Sequence, residues 1–189
     1  MIIDYPNVLK ELSSLTKHQQ QDIYNLLNGE GSRRGRGKGS GGIKAKSIAN
    51  LIAWAKRKVQ RLVVYSAAND QGMVQCVTCP NSYIYNSSKI HGGHYIHSGN
   101  GRYATALLLE NIHPQCDACN TADHGKKEKY SAFLGEEMVE ALENKSKEKN
   151  PWDAELVAIY MVTVIEPQLN AVLKRLKEQA RPHSHPVTI

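Results

Sequence analysis

Aromatic residues are scarce in this chain: one Phe, two Trp and nine Tyr make up 6% of 189 residues. The hydrophobic fraction, 41%, is modest for a globular protein yet above that of a wholly disordered one, so part of the chain should pack and part should not. No apolar run approaches the roughly eighteen residues of a membrane span. The opening "MIIDYPNVLK" also lacks the charged start, apolar core and cleavage site of a signal peptide. The expectation is a soluble, intracellular protein with no membrane role. Acidic residues are absent from one long stretch. Residues 31–69 hold ten Lys and Arg and no Asp or Glu, leaving 14 basic against 18 acidic residues elsewhere, although the whole chain carries +6. The basicity is regional, and a positive segment on an otherwise acidic protein suggests a polyanionic partner.

Cysteine is sparse too, and its four copies fall as two CxxC pairs, Cys76/Cys79 and Cys116/Cys119, with 36 residues between them. Disulfides suit a reducing compartment poorly, and no thioredoxin-like βαβ pattern surrounds either pair. Four soft thiolates in this spacing favour tetrahedral Zn²⁺ over four unrelated buried cysteines. A four-cysteine set leaves no open coordination position, so the zinc is expected to be structural and any catalysis to lie elsewhere.

The rest of the chain is organised around that segment. Residues 1–28 read as an N-terminal helical segment with a broken apolar spacing, and 29–42 as a flexible basic tether in which seven of fourteen residues are Gly. Residues 43–72 read as an amphipathic basic helix whose apolar positions are Ile48, Leu51, Ile52, Ala55, Val59, Leu62 and Val63. Residues 73–126 form the cysteine and histidine core, 127–180 the C-terminal helices, and 181–189 a disordered tail. Within the core, "GGHYIHSG" and "RYATALLLENI" read as two strands, followed by a helix from "DACNTADHG" that Gly125 ends. The spacing further predicts a helix to about Asn144, and another capped by Asn150 with Pro151 in its first turn and a kink or break at Pro167.

Four short segments, "CVTC", "GGHY", "ENIHPQC" and "CNTADHG", resemble the NinG (Rap) family of phage recombination endonucleases. Through it the chain is similar to the HNH or His-Me finger nucleases and to phage endonuclease VII, which shares a histidine fifteen residues after the second cysteine and an Asn just after the fourth. The likeness covers roughly residues 50–145 and is specific from 76 to 125. It implies an α+β fold: a small ββα-metal core stapled by the zinc site, with helices on both sides. It implies that His94 is the general base, a task that suits imidazole because its ordinary pKa lies near 6.5. Asn111 would hold the loop that orients the base, and Asn120 would bind one Mg²⁺ or Mn²⁺. Many relatives carry Asp or His directly before the base, but Gly93 stands there. The second ligand is left to Asp123 or His124 on the helix, with His91 a further candidate. His97 should face away from the base by strand alternation, and His113 should order the zinc turn.

The activity so implied is that of a metal-dependent DNA endonuclease on branched recombination intermediates such as Holliday junctions. It would work as a homodimer in the cytoplasm of an infected or lysogenic bacterial host. Arg33, Arg34, Arg36, Lys38, Lys56, Arg57, Lys58 and Arg61 would meet DNA phosphates. The alternatives are a zinc-stabilised DNA-binding module that does not cut, and a simple HNH nicking enzyme.

Overall fold

The structure is a computed structural model and describes residues 15–28, 48–101, 103–121 and 123–180. The tether with Arg33, Arg34, Arg36 and Lys38, and the tail, lie outside the described residues, as do the side chains of Asp123 and His124. The first helix, α1 (Lys17–Asn28), starts at a capping box. Thr16 Oγ1 accepts from the Gln19 amide at 3.3 Å while Gln19 Oε1 accepts from the Thr16 amide at 3.0 Å, so two donors at the helix start are satisfied reciprocally. Among the described residues α1 is a single helix, whose Ile23 reaches the core.

Helix α2 (Ile48–Ser66) buries Leu51, Ile52, Ala55, Val59, Leu62 and Val64 at three- and four-residue spacing. Its ends depart from the sequence expectation. Ile48 is among the exposed large hydrophobics, and Val64 rather than Val63 is buried near the far end.

Two small antiparallel hairpins follow. Strands β1 (Met73–Gln75) and β2 (Ser82–Ile84) flank the first cysteine pair. Strands β3 (Ile90–His94) and β4 (Ile112–Cys116) pair with Ile90 opposite Cys116, Gly93 opposite His113 and His94 opposite Ile112. Helices α3 (Asp117–Thr121), α4 (Asp123–Leu134) and α5 (Glu136–Ser146) complete the middle of the chain. The chain passes Gly125 at φ 80° and continues as helix. At Gly135, φ 80° breaks the expected single helix into α4 and α5, a conformation glycine adopts without steric cost.

The second strand is not where hydrophobicity put it. Residues 104–108 form a loop in which every residue from Ala104 to Leu108 is 0% exposed. A continuous apolar run marks burial, not strand geometry. A buried loop must still satisfy its carbonyls, and side chains do it here. Trp152 Nε1–H donates to Ala104 O at 2.9 Å, Asn111 Nδ2–H to Thr105 O at 3.0 Å, and His94 Nε2 meets Ala106 O at 3.1 Å.

The C-terminal helix likewise starts later than expected. Asp153, not Asn150, is the N-cap, its carboxylate accepting from the Leu156 amide at 2.8 Å. Asn150 instead donates from Nδ2 to Gly101 O at 2.8 Å, clasping the distant loop. Helix α6 (Ala154–Tyr160) runs through a π turn (Met161–Ile165) into α7 (Glu166–Gln179), so Pro167 neither ends nor separates the segment. The wider π turn just before the proline takes up its missing N–H.

This helical run, Ala154–Gln179, is the one segment among the described residues long and apolar enough by composition to cross a membrane. Its apolar side chains are those at the centre of the core: Leu156, Val157, Ile159, Tyr160, Met161 and Ile165 pack with α1, α2 and the buried loop. The architecture is mixed α and β, with two two-stranded sheets held among helices.

Candidate metal centre and active site

Cys76 and Cys79 occupy the knuckle between β1 and β2, Cys116 ends β4, and Cys119 lies in α3. Their four Sγ atoms lie within 4.8 Å of one another, and Cys79 and Cys116 are 3.7 Å apart. Zn–S bonds of about 2.3 Å in a tetrahedron place sulfurs about 3.8 Å apart, so the set fits a zinc ion with little adjustment. The electrostatics agree. Burial pushes the Cys76 thiol up, but hydrogen bonds from the Thr78 hydroxyl and from the Cys116 and Thr78 amides outweigh it and bring the group to about 6. Burial and the neighbouring thiols push Cys116 up to about 12. Thiols crowded in this way ionise together only around a cation. The four cysteines thus form a site able to hold structural zinc, and the Val77 amide, donating to Pro114 O at 2.9 Å, ties the knuckle to β4.

His94 is the last residue of β3 and is half-buried. Its Nε2 faces a carbonyl, Ala106 O, which can only accept, so Nε2 carries the proton and Nδ1 is the basic nitrogen. Burial, and then the nearby Lys56 and His97, hold the ring well below its ordinary value, at about 4, against the opposing pull of the Ala106 carbonyl. His94 is therefore a neutral imidazole through the physiological range, in one tautomer, with its orientation set by the buried loop.

That loop is fastened by Asn111, which is 0% exposed. Its Oδ1 accepts from the Ile96 amide at 2.7 Å, and its Nδ2 donates to Ile96 O at 2.9 Å and Thr105 O at 3.0 Å. Three backbone groups on both arms of the loop converge on one amide.

Gly92 and Gly93 face opposite sides of β3. A Cβ on Gly92 would lie 2.8 Å from the Cα of Gln60 in α2, so β3 touches the α2 backbone and admits nothing larger. A Cβ on Gly93 would lie 2.1 Å from Gln115 Oε1 and 3.0 Å from Asn120 Oδ1. The space beside Gly93 is filled by the amide of Gln115, from β4. Gln115 is 0% exposed, and its Nε2 donates to Gly125 O at 2.7 Å and Thr78 Oγ1 at 3.2 Å. Because Gly125 O can only accept, the nitrogen end must face it and the oxygen end must face Gly93. That oxygen is buried with no hydrogen-bond partner among the described residues, a state that ordinarily costs roughly 1–3 kcal/mol.

The other histidines separate into distinct settings. His91 lies 3.7 Å from the Asp117 carboxylate at the start of α3, both side chains exposed. His113 does not serve the zinc turn. It stacks edge-on against Tyr130 and Phe133, and its Nδ1 bonds the Tyr130 hydroxyl at 3.2 Å, which in turn donates to Gly93 O at 2.9 Å. Burial, first, lowers His113 from its ordinary pKa. The alternation argument for His97 fails because β3 ends at His94. His97 lies in the following turn, accepts from the Gly99 amide at 3.1 Å, and is close enough to depress His94.

Helix α2 presents its cations unequally. Arg57 and Arg61 are exposed, with Arg61 over the Tyr65 ring at 4.8 Å, while Lys58 sits 5.8 Å from the centroid of Trp54. Both arginines border a cleft of about 240 Å³ whose floor includes Gln60, His91 and Gly92. Lys56 turns inward instead. It donates to Ser98 Oγ, burial lowers its pKa, and it acts on His94. Sequence reasoning missed Gln115, Thr78 and Tyr130. Glutamine carries no motif, and only the register of β3 against β4 puts Gln115 beside Gly93.

Fold and site define a mixed α and β protein in which a four-cysteine cluster able to hold a metal ion joins a histidine-bearing hairpin to a helix. A family model described as Bacteriophage Lambda NinG protein matches residues 14–178, and the chain belongs to the NinG family. No curated protein and no solved structure matches it.

Proposed function

We propose that this chain is a metal-dependent DNA endonuclease of the His-Me finger type, acting on branched recombination intermediates, with His94 as general base. Membership in the NinG family suggests a phage recombination role. The observation that carries the catalytic reading is the setting of His94, a half-buried imidazole held neutral with Nε2 committed to Ala106 O. Such a ring is unprotonated at neutral pH, with Nδ1 able to accept a proton. β3, β4 and the helices α3 and α4 supply the strand, strand and helix of the proposed core, with the four-cysteine zinc at its base.

In the proposed reaction, water attacks the scissile phosphorus as His94 Nδ1 takes its proton, the P–O3′ bond breaks, and the departing 3′ oxygen takes a proton from solvent, giving a 5′ phosphate and a 3′ hydroxyl. Asn120 would help hold a Mg²⁺ or Mn²⁺ ion, which would supply stabilisation of the negative charge that grows in the transition state. Asp123 and His124, whose backbone lies in α4, remain candidates for the same ion. Lys56, beside His94, discourages protonation of the ring before attack. Arg57 and Arg61 would take neighbouring phosphates along α2, adding affinity that falls with salt. Cutting a junction symmetrically takes two such sites, hence a homodimer.

Cleavage of four-way junction, flap and linear duplex DNA with Mg²⁺, wild type against His94→Ala, tests this. Junction cutting lost in the variant is the expected result. Full cutting by the variant refutes the role of His94, and no cutting of any DNA by wild type favours a binding module.

A further inference from the structure

We propose that Gln115 is a metal ligand: its Oε1, delivered from β4, takes the place of the side chain that Gly93 lacks and shares a divalent cation with Asn120 Oδ1. The proposal rests on the endonuclease reading for what the cation does, but not for whether it binds.

Three observations converge. Both oxygens lie within 3.0 Å of the single point where a Gly93 Cβ would sit, one from the strand opposite and one from the helix after β4. Gln115 Oε1 is fully buried and lacks a hydrogen-bond partner, although both hydrogens on its Nε2 are used. A buried amide normally satisfies both ends, so an oxygen left open near a second oxygen suits something positive. With both oxygens turned this way neither can donate, and a cation or a bound water is the complement that fits between them. Amide oxygens are hard, neutral donors of the kind Mg²⁺ and Mn²⁺ accept.

The anchoring of Gln115 explains why the oxygen points there. Thr78 Oγ1 accepts from Gln115 Nε2 and lies 3.4 Å from Cys76 Sγ. Having one proton, the hydroxyl gives it to the sulfur. The chain Cys76, Thr78, Gln115 therefore runs from the zinc cluster to the proposed cation, and a formed zinc site fixes the direction of the ligand oxygen. Glycine at 93 follows from the same arrangement, since any side chain there would collide with Gln115.

The test is Mn²⁺ binding to zinc-loaded full-length protein, read by electron paramagnetic resonance without DNA, with zinc content and circular dichroism as controls for folding. Two neutral amides bind weakly, and Gln115→Glu puts a charged oxygen in the same place, so it should tighten Mn²⁺ at least about tenfold, with Asn120→Ala removing the gain. Because Gln115→Glu also loses both anchoring donors, a relocated ligand serves as a second variant. Gln115→Ala clears the space and should abolish site-specific Mn²⁺ binding, and Gln115→Ala with Gly93→Asp should restore it from β3. Unchanged Mn²⁺ affinity in Gln115→Glu and no rescue by the double variant, with zinc retained, would overturn the assignment. Failure to cut DNA alongside intact Mn²⁺ behaviour would instead count against the endonuclease reading alone.

Discussion

Replacing Asn111 by alanine should loosen the loop that sets His94 while leaving the zinc cluster intact. The side chain satisfies the Ile96 amide, the Ile96 carbonyl and the Thr105 carbonyl, at 2.7, 2.9 and 3.0 Å, and is wholly buried. Each group stranded without a partner costs about 1–3 kcal/mol, but Ile96 is only half-buried and water can reach it after relaxation, so the net loss should be about 3 kcal/mol. For a chain of this size that corresponds to a fall in Tm of about 6–12 °C. Asn111→Asp has nearly the same shape but sets a carboxylate against two carbonyls, so it should be at least as damaging at pH 7. Its folded-state pKa would be raised, which means that stability is recovered as pH falls through that value and lost as pH rises. Urea denaturation at pH 7 and pH 5 reads both variants. A loss below about 1 kcal/mol for Asn111→Ala, or an unperturbed Asn111→Asp at pH 7, would refute the account of the loop as held by one amide.

Gly92→Ala should destabilise the fold by about 1–3 kcal/mol in urea, because the new methyl meets the α2 backbone at 2.8 Å and one of the two elements must move. The His94 ring, at about 4 rather than its ordinary 6.5, favours folding in its neutral form. That contribution is complete above pH 6.5 and is lost as pH falls through 4, and NMR titration of the ring should find the same low midpoint. Lys56→Met should move that midpoint upward by removing a nearby positive charge, and an unchanged or lower value would contradict the contact. Each chain should carry one zinc by atomic emission, and its removal by a strong chelator should cost several kcal/mol of stability, with Cys116→Ser behaving alike.

Chemistry-bearing residues were legible where side-chain type and spacing state a function. The paired CxxC motifs pointed to one metal site, and the four sulfurs do come together. The apolar face of α2 was legible because helical periodicity is local. The same logic misplaced the second strand, since "ATALLL" is apolar for a reason periodicity cannot express. It is a loop buried on all sides, and its carbonyls are satisfied by Trp152, Asn111 and His94 from elsewhere in the chain. Asn150 looked like a cap and proved to be a clasp on Gly101, because a side-chain amide serves either use and only the fold says which partner is near.

By itself the sequence determined the thiolate character of the four-cysteine site, the regional positive charge and the helices with strong periodicity, all properties that short stretches carry within them. Tertiary structure alone decided that Lys56 turns toward His94, that His113 supports Tyr130, and that Gln115 fills the space beside Gly93. These depend on strand register and helix packing, which bring together residues separated by 17 to 38 positions. No local pattern encodes such a distance. The glycine that reads as a missing ligand in one dimension is, in three, the opening that a neighbouring strand's amide fills.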